Sequence, residues 1–431
     1  MRLCALLSVA PLAAAAMGPH LAQRAEPAPL LMPGDTSTIT AGKYIVKFRD
    51  DIPDAQFKSL MESVKEEADQ VYTNVLFGFS AALDAASLER WRNHPDVDYV
   101  EPDSKITASG TIRQDNATWG LGRISARDNG ESEYVFDETA GEGTCTYVLD
   151  SGIDDTHPLT CGQEFEGRAE QIYSFITGEQ TDGWGHGTLV AGIIGSKTYG
   201  VAKKTRLYGI KVMADRGGTD VSMLIAGADL VLRHMRTRSC PKGVFVNISI
   251  SGGMSLATNQ AVERLVKNDV FVGVAAGNDG KELADRSPAT ARYVCVVAGT
   301  NKNDTWYKAS NYGRRVDILA PASEVESTTI NGETVSYSLP LSLSLSFSRC
   351  EERQEGRAAD PSESTQAIVN GTSVAAPHVV GLAAYVRALK DIGAANLCAH
   401  LRLTAHIGKI KGVPNGTSNH LAFNQVRRDE T

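Results

Sequence analysis

Apolar positions between residues 43 and 103 switch repeatedly between two spacings. Lys43-Tyr44-Ile45-Val46-Lys47-Phe48 alternates with the period of a strand, and a charged stretch over 54–69 has helical spacing. Residues 71–82 read as one or two further strands, 86–93 as a second helix and 97–103 as a closing strand. That β-α-β-β-α-β order is a small ferredoxin-like α+β domain, 43–103. A Pro-, Ala-, Ser- and Thr-rich linker (23–42) precedes it and a polar linker (104–116) follows.

Beyond Thr144 the pattern changes. Segments 146–149, 207–212, 244–250, 270–274 and 294–298 are short and largely apolar, and between them 222–236 and 260–267 have helical spacing. Strands apolar on both faces are covered on both faces. The expected fold class is α/β, a mostly parallel sheet sandwiched by helices, whose sites lie at the carboxyl ends of its strands.

Composition narrows the classes. The 431 residues are 42% hydrophobic and 22% charged, which excludes wholesale disorder. A net charge of −8 lacks the basic footprint of a nucleic-acid or anionic-membrane binder, so neither partner is expected. One arginine and a short apolar run ending in alanines open the chain, the pattern of a cleaved secretory signal (1–18) too short to span a membrane. Secretion makes disulfides permissible for the seven cysteines.

Three segments carry chemistry. Leu149-Asp150-Ser151-Gly152 puts an acid just past a strand. Asp182-Gly183-Trp184-Gly185-His186-Gly187-Thr188 puts a histidine between glycines at the start of a helical run. Asn370-Gly371-Thr372-Ser373-Val374-Ala375-Ala376-Pro377-His378 puts a serine at the start of a long apolar helix. A serine hydroxyl needs a base within hydrogen-bond reach, and the base an orienting carboxylate. Singly each has a plainer reading: a turn acid, a helix-start histidine, an N-cap serine or threonine. Together, in the order Asp…His…Ser, they point to one site.

These segments resemble the three signatures of the subtilisin-like serine proteases (subtilases), whose chain order they share. The details are closest to the proteinase K group, which Trp119-Gly120-Leu121-Gly122-Arg123-Ile124-Ser125 also resembles. The small domain is similar to the family's inhibitory propeptide, including Val100-Glu101-Pro102-Asp103. The resemblance implies Ser373 as nucleophile, His186 as general base and acid, Asp150 as orienting carboxylate and Asn278 as oxyanion donor, over a catalytic domain at 112–431. It implies that a peptide substrate lies as a strand between Gly217, Gly218, Thr219 and Ser249, Ile250, Ser251, Gly252. The first pocket is walled by 249–251 with Ala275, Ala276 and Gly277. These walls carry no charge, so an apolar or aromatic side chain is expected before the cut. Ser251 stands where the family usually has glycine, which would narrow the pocket. Disulfides Cys145–Cys240 and Cys295–Cys398 are implied, leaving Cys161 without a family partner. No cofactor is needed for the chemistry. A structural calcium at Asp317, with the carbonyls of Arg292 and Val294, is the metal implied.

Two features depart from the family. Leu189-Val190 and Val374 replace its usual His-Cys and Met. Residues 335–366 are additional: a Leu/Ser low-complexity run followed by a charged run over 349–357 that includes Cys350. This stretch is either a loop inserted near the cleft or an unspliced intron. Its removal joins Thr334 to Ala367 and restores the family's spacing, and its ends can be encoded by splice-site codons. Of the Asn-x-Ser/Thr sequons at Asn116, Asn247, Asn303, Asn370 and Asn415, the strand residue Asn247 and Asn370 beside the nucleophile are poor acceptors.

The expectation is a secreted, monomeric serine endopeptidase acting on proteins or peptides. Its propeptide would be an intramolecular inhibitor, released by cleavage within 109–114. A non-catalytic protease fold used for binding is the alternative if the 335–366 insert is genuine. A lipase or esterase fits less well, because no glycine follows Ser373 by two residues.

Overall fold

The computed structural model describes residues 26–33, 39–104, 110–155, 164–330, 335–337 and 366–426. The expected signal, Cys161, Cys350 and most of the 335–366 stretch lie outside these residues. The chain forms two compact units, Met1–Ala108 and Ser109–Thr431.

The first unit is an antiparallel sheet in the order Ala68–Tyr72, Gly78–Ala82, Ile39–Phe48, Val97–Ser104, with helices Asp54–Val64 and Ala85–Arg92. Phe57, Met61 and Val64, at helical spacing, are buried with Val46, Phe48, Phe79 and Trp91. The first helix stops earlier than its spacing suggests because residues from Ala68 onward pair with the Gly78–Ala82 strand. The second is capped by Asp84, whose carboxylate accepts the Ser87 N–H.

In the second unit the described residues form a nine-stranded sheet. Its strands run His406–Ile407, His420–Leu421, Ile318–Pro321, Cys295–Thr300, Val270–Ala275, Val244–Ile248, Cys145–Asp150, Arg206–Lys211, Ala169–Ser174. All pairs are parallel except the terminal His406–Ile407 hairpin. Alternate residues face opposite layers. Val148 and Phe245 pack with helices His186–Gly195 and Thr372–Leu389, whereas Tyr147, Leu149 and Val246 pack with Val221–His234 and Leu256–Val266. This two-sided burial explains the apolar runs in the sequence. The half-exposed edge strand Ala169–Ser174 lacks that signal, and Ile318–Pro321, though apolar and buried throughout, is too short to stand out from spacing. Thr111–Gln114, expected within a linker and a cleavage region, pairs instead with Tyr134–Asp137.

Successive strands leave Cys145–Asp150 in opposite directions, Arg206–Lys211 to one side and Val244–Ile248 to the other. The carboxyl end of this switch point is where a crevice must open. Disulfides Cys145–Cys240 and Cys295–Cys398 close loops of 95 and 103 residues, each worth about 4–5 kcal/mol in the chain-entropy account. Among the described residues no helix is long and apolar enough to cross a membrane.

The central helix Thr372–Leu389 is buried through nearly all its length. Within it His378 donates Nδ1–H to the Val374 carbonyl at 2.7 Å, and burial pushes its pKa down to about 4. An unfolded histidine titrates near 6.5. Between those values the unfolded chain takes up a proton that the folded chain refuses. This contribution is therefore complete above pH 6.5 and is lost as the pH falls to about 4, by about 3 kcal/mol. Urea unfolding of a Ser373→Ala protein should show this slope, and His378→Gln should flatten it. An equally steep slope in the variant would assign the acid lability to other groups.

Candidate active site

Asp150 is the last residue of its strand and is fully buried. Its Oδ1 accepts the Ser151 N–H at 2.8 Å and faces His186 Nδ1 at 2.7 Å. A carboxylate partner makes Nδ1 the protonated nitrogen and leaves Nε2 as the acceptor. Burial disfavours the imidazolium. The Asp150 charge and hydrogen bond, with the charge of Asp182, outweigh that and hold His186 above the usual imidazole value. A Cβ on Gly187 would sit 2.1 Å from the Gly152 carbonyl, so only glycine lets the His186 turn approach the Asp150 turn.

Buried Asp182 ties these turns together. Its Oδ1 accepts Ser151 Oγ–H at 2.7 Å and the Gly185 N–H at 2.8 Å, and its Oδ2 accepts the Thr188 N–H and hydroxyl at 2.8 and 2.6 Å. Lys211, also fully buried, donates to the Ser151 carbonyl at 2.7 Å and to Asp215 Oδ1 at 2.5 Å. Lys211 is paired with Asp215, and Asp182 is compensated by hydroxyl and backbone N–H donors, as burial requires.

Ser373 sits in the first turn of Thr372–Leu389, 5% exposed. Four residues later Pro377 has no N–H to give the Ser373 carbonyl. Ser249 Oγ–H donates to that carbonyl instead, at 2.7 Å, and fastens the pocket wall to the nucleophile's helix. Ser373 Oγ has no hydrogen-bond partner, so the His186–Ser373 bond is not formed here although both side chains line one cleft. Such bonds commonly close only with substrate bound.

Asn278 follows the Val270–Ala275 strand. Its Oδ1 accepts the Thr372 N–H at 2.8 Å and the Thr372 hydroxyl at 3.0 Å, which leaves Nδ2 to face the cleft. A Cβ placed on Gly371, at φ 144°, would lie 3.2 Å from both Asn278 Nδ2 and Ser373 Oγ. Gly371 therefore keeps open a small space bounded by an amide donor and a hydroxyl. An oxygen bearing developing negative charge fits there, beside the positive end of the helix.

The cleft encloses about 390 Å³, and Gly218, Thr219, Ser249, Ile250, Ser251 and Gly252 are among its lining. Ala275 and Ala276 are themselves buried, and a Cβ on Gly277 would lie 3.5 Å from Ser251 Oγ. Gly217 takes a left-handed φ of 79° beside Trp184.

Asp317, the carboxylate of the expected calcium site, is held by two partners of the protein. Its Oδ2 accepts the Val296 N–H at 3.0 Å, and its Oδ1 faces the Arg402 guanidinium at 3.6 Å. The neighbouring Cys295 and Cys398 are bonded to each other and cannot act as thiolate ligands. Asn247 is fully buried, unsuited to carry a glycan.

Sequence reading did not single out Asp182, Lys211, Thr372 or the Pro377–Ser249 compensation as parts of the site. Only Pro377, a helix breaker inside an apolar helical run, offered a local signal.

The pattern of the subtilase family matches residues 141–425, and that of the peptidase inhibitor I9 family matches 43–109. A cuticle-degrading protease of Metarhizium anisopliae is 43% identical over 98% of this chain and 100% of its own. Proteinase R of Parengyodontium album is 40% identical over 99% and 100%. The crystal structure of a cold-adapted subtilisin-like serine proteinase superposes with a TM-score of 0.59 at 29% identity, over 72% of this chain and 100% of that one.

Proposed function

The chain belongs to the subtilase family of serine proteases and carries an I9 propeptide domain, and from that premise we propose that Ser373, His186, Asp150 and Asn278 perform its peptide-bond hydrolysis. What carries the assignment is the 2.7 Å Asp150–His186 hydrogen bond in the cleft shared by Ser373 and Asn278.

In acylation Ser373 Oγ attacks the scissile carbonyl carbon while its proton passes to His186 Nε2. The carbonyl π pair moves to oxygen, where Asn278 Nδ2–H and the Ser373 N–H receive it. As the tetrahedral intermediate collapses the C–N bond breaks, and the proton on Nε2 goes to the leaving amine. Water repeats the cycle and frees Ser373. Asp150 stays ionised, fixing the tautomer and stabilising the imidazolium. The family's chemistry needs no cofactor, and the proposal includes no calcium at Asp317.

Substrate joins the edges at 217–219 and 249–252 as an added strand. The uncharged pocket, narrowed by Ser251, favours an apolar side chain before the cut. The enzyme is exported behind a signal at 1–18 and works as a monomer. Its 43–103 domain inhibits the catalytic domain at 112–431 until cleavage near 109–114. The test is labelling of the mature protein by a fluorophosphonate, which should be complete in wild type and absent in Ser373→Ala. Unlabelled, correctly matured wild type would sink the assignment. Residues 335–366 are taken as an unspliced intron. The transcript should lack them, whereas a peptide covering 349–357 recovered from the secreted protein would make them a true loop.

A further inference from the structure

Trp184 lies two residues before the catalytic histidine and plays no part in the mechanism above. It is half-buried in the cleft. Its indole is stacked on the His186 imidazole, ring centroids 5.1 Å apart and planes inclined by 22°. The backbone around it is fixed. The Gly183 N–H donates to Asp215 Oδ1 at 3.0 Å, the Trp184 N–H to Asp182 Oδ1 at 3.2 Å, and Gly185 turns with φ 87°. The outer edge of the indole reaches the substrate-edge segment, where a Cβ on Gly217 would lie 3.7 Å from Trp184 Cζ2.

Asp150 holds the imidazole at one point in its plane, Nδ1. That contact leaves the ring free to tilt, and tilting swings Nε2 out of line with Ser373. A flat ring stacked on one face blocks that motion. The stack also acts electrostatically. When Nε2 takes the Ser373 proton the imidazole becomes a cation, and an aromatic face attracts a cation in a desolvated site. The attraction strengthens as the proton moves, so it lowers the barrier more than it tightens substrate binding.

We propose that Trp184 is a positioning residue for His186, its indole bracing the imidazole and stabilising the imidazolium formed as Ser373 attacks. The inference rests on the catalytic assignment above. The charged groups acting on this ring are Asp150 from its strand end and Asp182 from the loop, and Asp220 at the start of Val221–His234 lines the same cleft. Substitution at 184 changes none of them.

The test compares mature wild type with Trp184→Phe and Trp184→Leu on one peptide amide, measuring kcat, KM and the pH dependence of kcat/KM. Leucine keeps an apolar cover but removes the π face. Trp184→Leu should lose about 2- to 30-fold in kcat with little change in KM. Its acid limb should move to lower pH, because the imidazolium loses a stabilising partner while burial is kept. Trp184→Phe should restore most of both. Trp184→Asn, which also lacks the π face, takes the place of the leucine variant if that one fails to fold. Wild-type kcat and acid limb in a folded leucine or asparagine variant would overturn the inference, as would equal losses in Phe and Leu. Both results leave the catalytic assignment standing. Wild type without Ser373-dependent turnover would instead overturn that assignment and this inference with it.

Discussion

Replacing Ser373 with alanine is expected to lower kcat by about 10⁶-fold, leaving KM within a few-fold of wild type. In the proposed mechanism its hydroxyl forms the new bond, and Ser373 lines the cleft together with Asn278 and His186. His186→Ala should cost about as much, and the double variant hardly more, because the serine, its base and the orienting acid work as one unit. A residual acceleration over water, on the order of 10³- to 10⁴-fold, should persist from the oxyanion donors and substrate binding. Turnover of a peptide amide checks the rate, measured on a variant catalytic domain refolded beside a separately supplied propeptide that is then removed. Gel mobility checks processing, because a chain that cuts its own propeptide should stay at its unprocessed size when Ser373 is alanine. Retention of even a hundredth of wild-type turnover, with contaminating protease excluded, would remove Ser373 from the nucleophile's role.

Asn278→Leu should lower kcat by about 10²- to 10³-fold with KM nearly unchanged, a loss of about 3–4 kcal/mol in transition-state stabilisation. The side-chain amide borders the space beside Gly371, 3.2 Å from where a Cβ there would sit, and in the proposed mechanism the oxygen enters that space as the carbon becomes tetrahedral. Such a donor strengthens its bond only in the transition state, so its loss appears in kcat. Asn278 has a second, structural duty. Its Oδ1 accepts both the N–H and the hydroxyl of Thr372 at the start of the nucleophile's helix. Leucine leaves those donors unsatisfied, which should also lower stability by about 1–3 kcal/mol. Measuring unfolding in a Ser373→Ala background separates the two effects. An unaltered kcat in a correctly folded variant would mean that the oxyanion is held elsewhere.

The carboxylate, base and nucleophile proposed for catalysis were legible because each sits in a distinctive local setting. Asp150 ends an apolar strand, His186 lies between two glycines, and Ser373 follows Gly371-Thr372 at the head of an apolar helix. The supporting residues were not legible. Asp182 and Lys211 look like ordinary loop and strand charges in sequence, and only the fold buries them and joins them to Ser151, Thr188 and Asp215. Ser249 lies 124 residues from the Ser373 carbonyl that it satisfies. Arg402, whose guanidinium faces Asp317, is likewise a residue that nothing in the sequence links to it.

The sequence by itself determined the two-sided apolar strands, the alternation of strands and helices, the small α+β domain ahead of them, and the residue types of a serine hydrolase. These follow from periodicities of two and about four residues and from short motifs, which are properties of neighbours along the chain. Tertiary structure alone decided where the sheet reverses its strand order, so that His186, Asn278 and the 249–252 edge open on one crevice. It alone decided which carbonyl Pro377 leaves for Ser249 and which aromatic ring covers the catalytic base. Hydrogen bonds and ring contacts act over a few ångströms in space, and residues far apart in the chain come within that distance only once the core has packed.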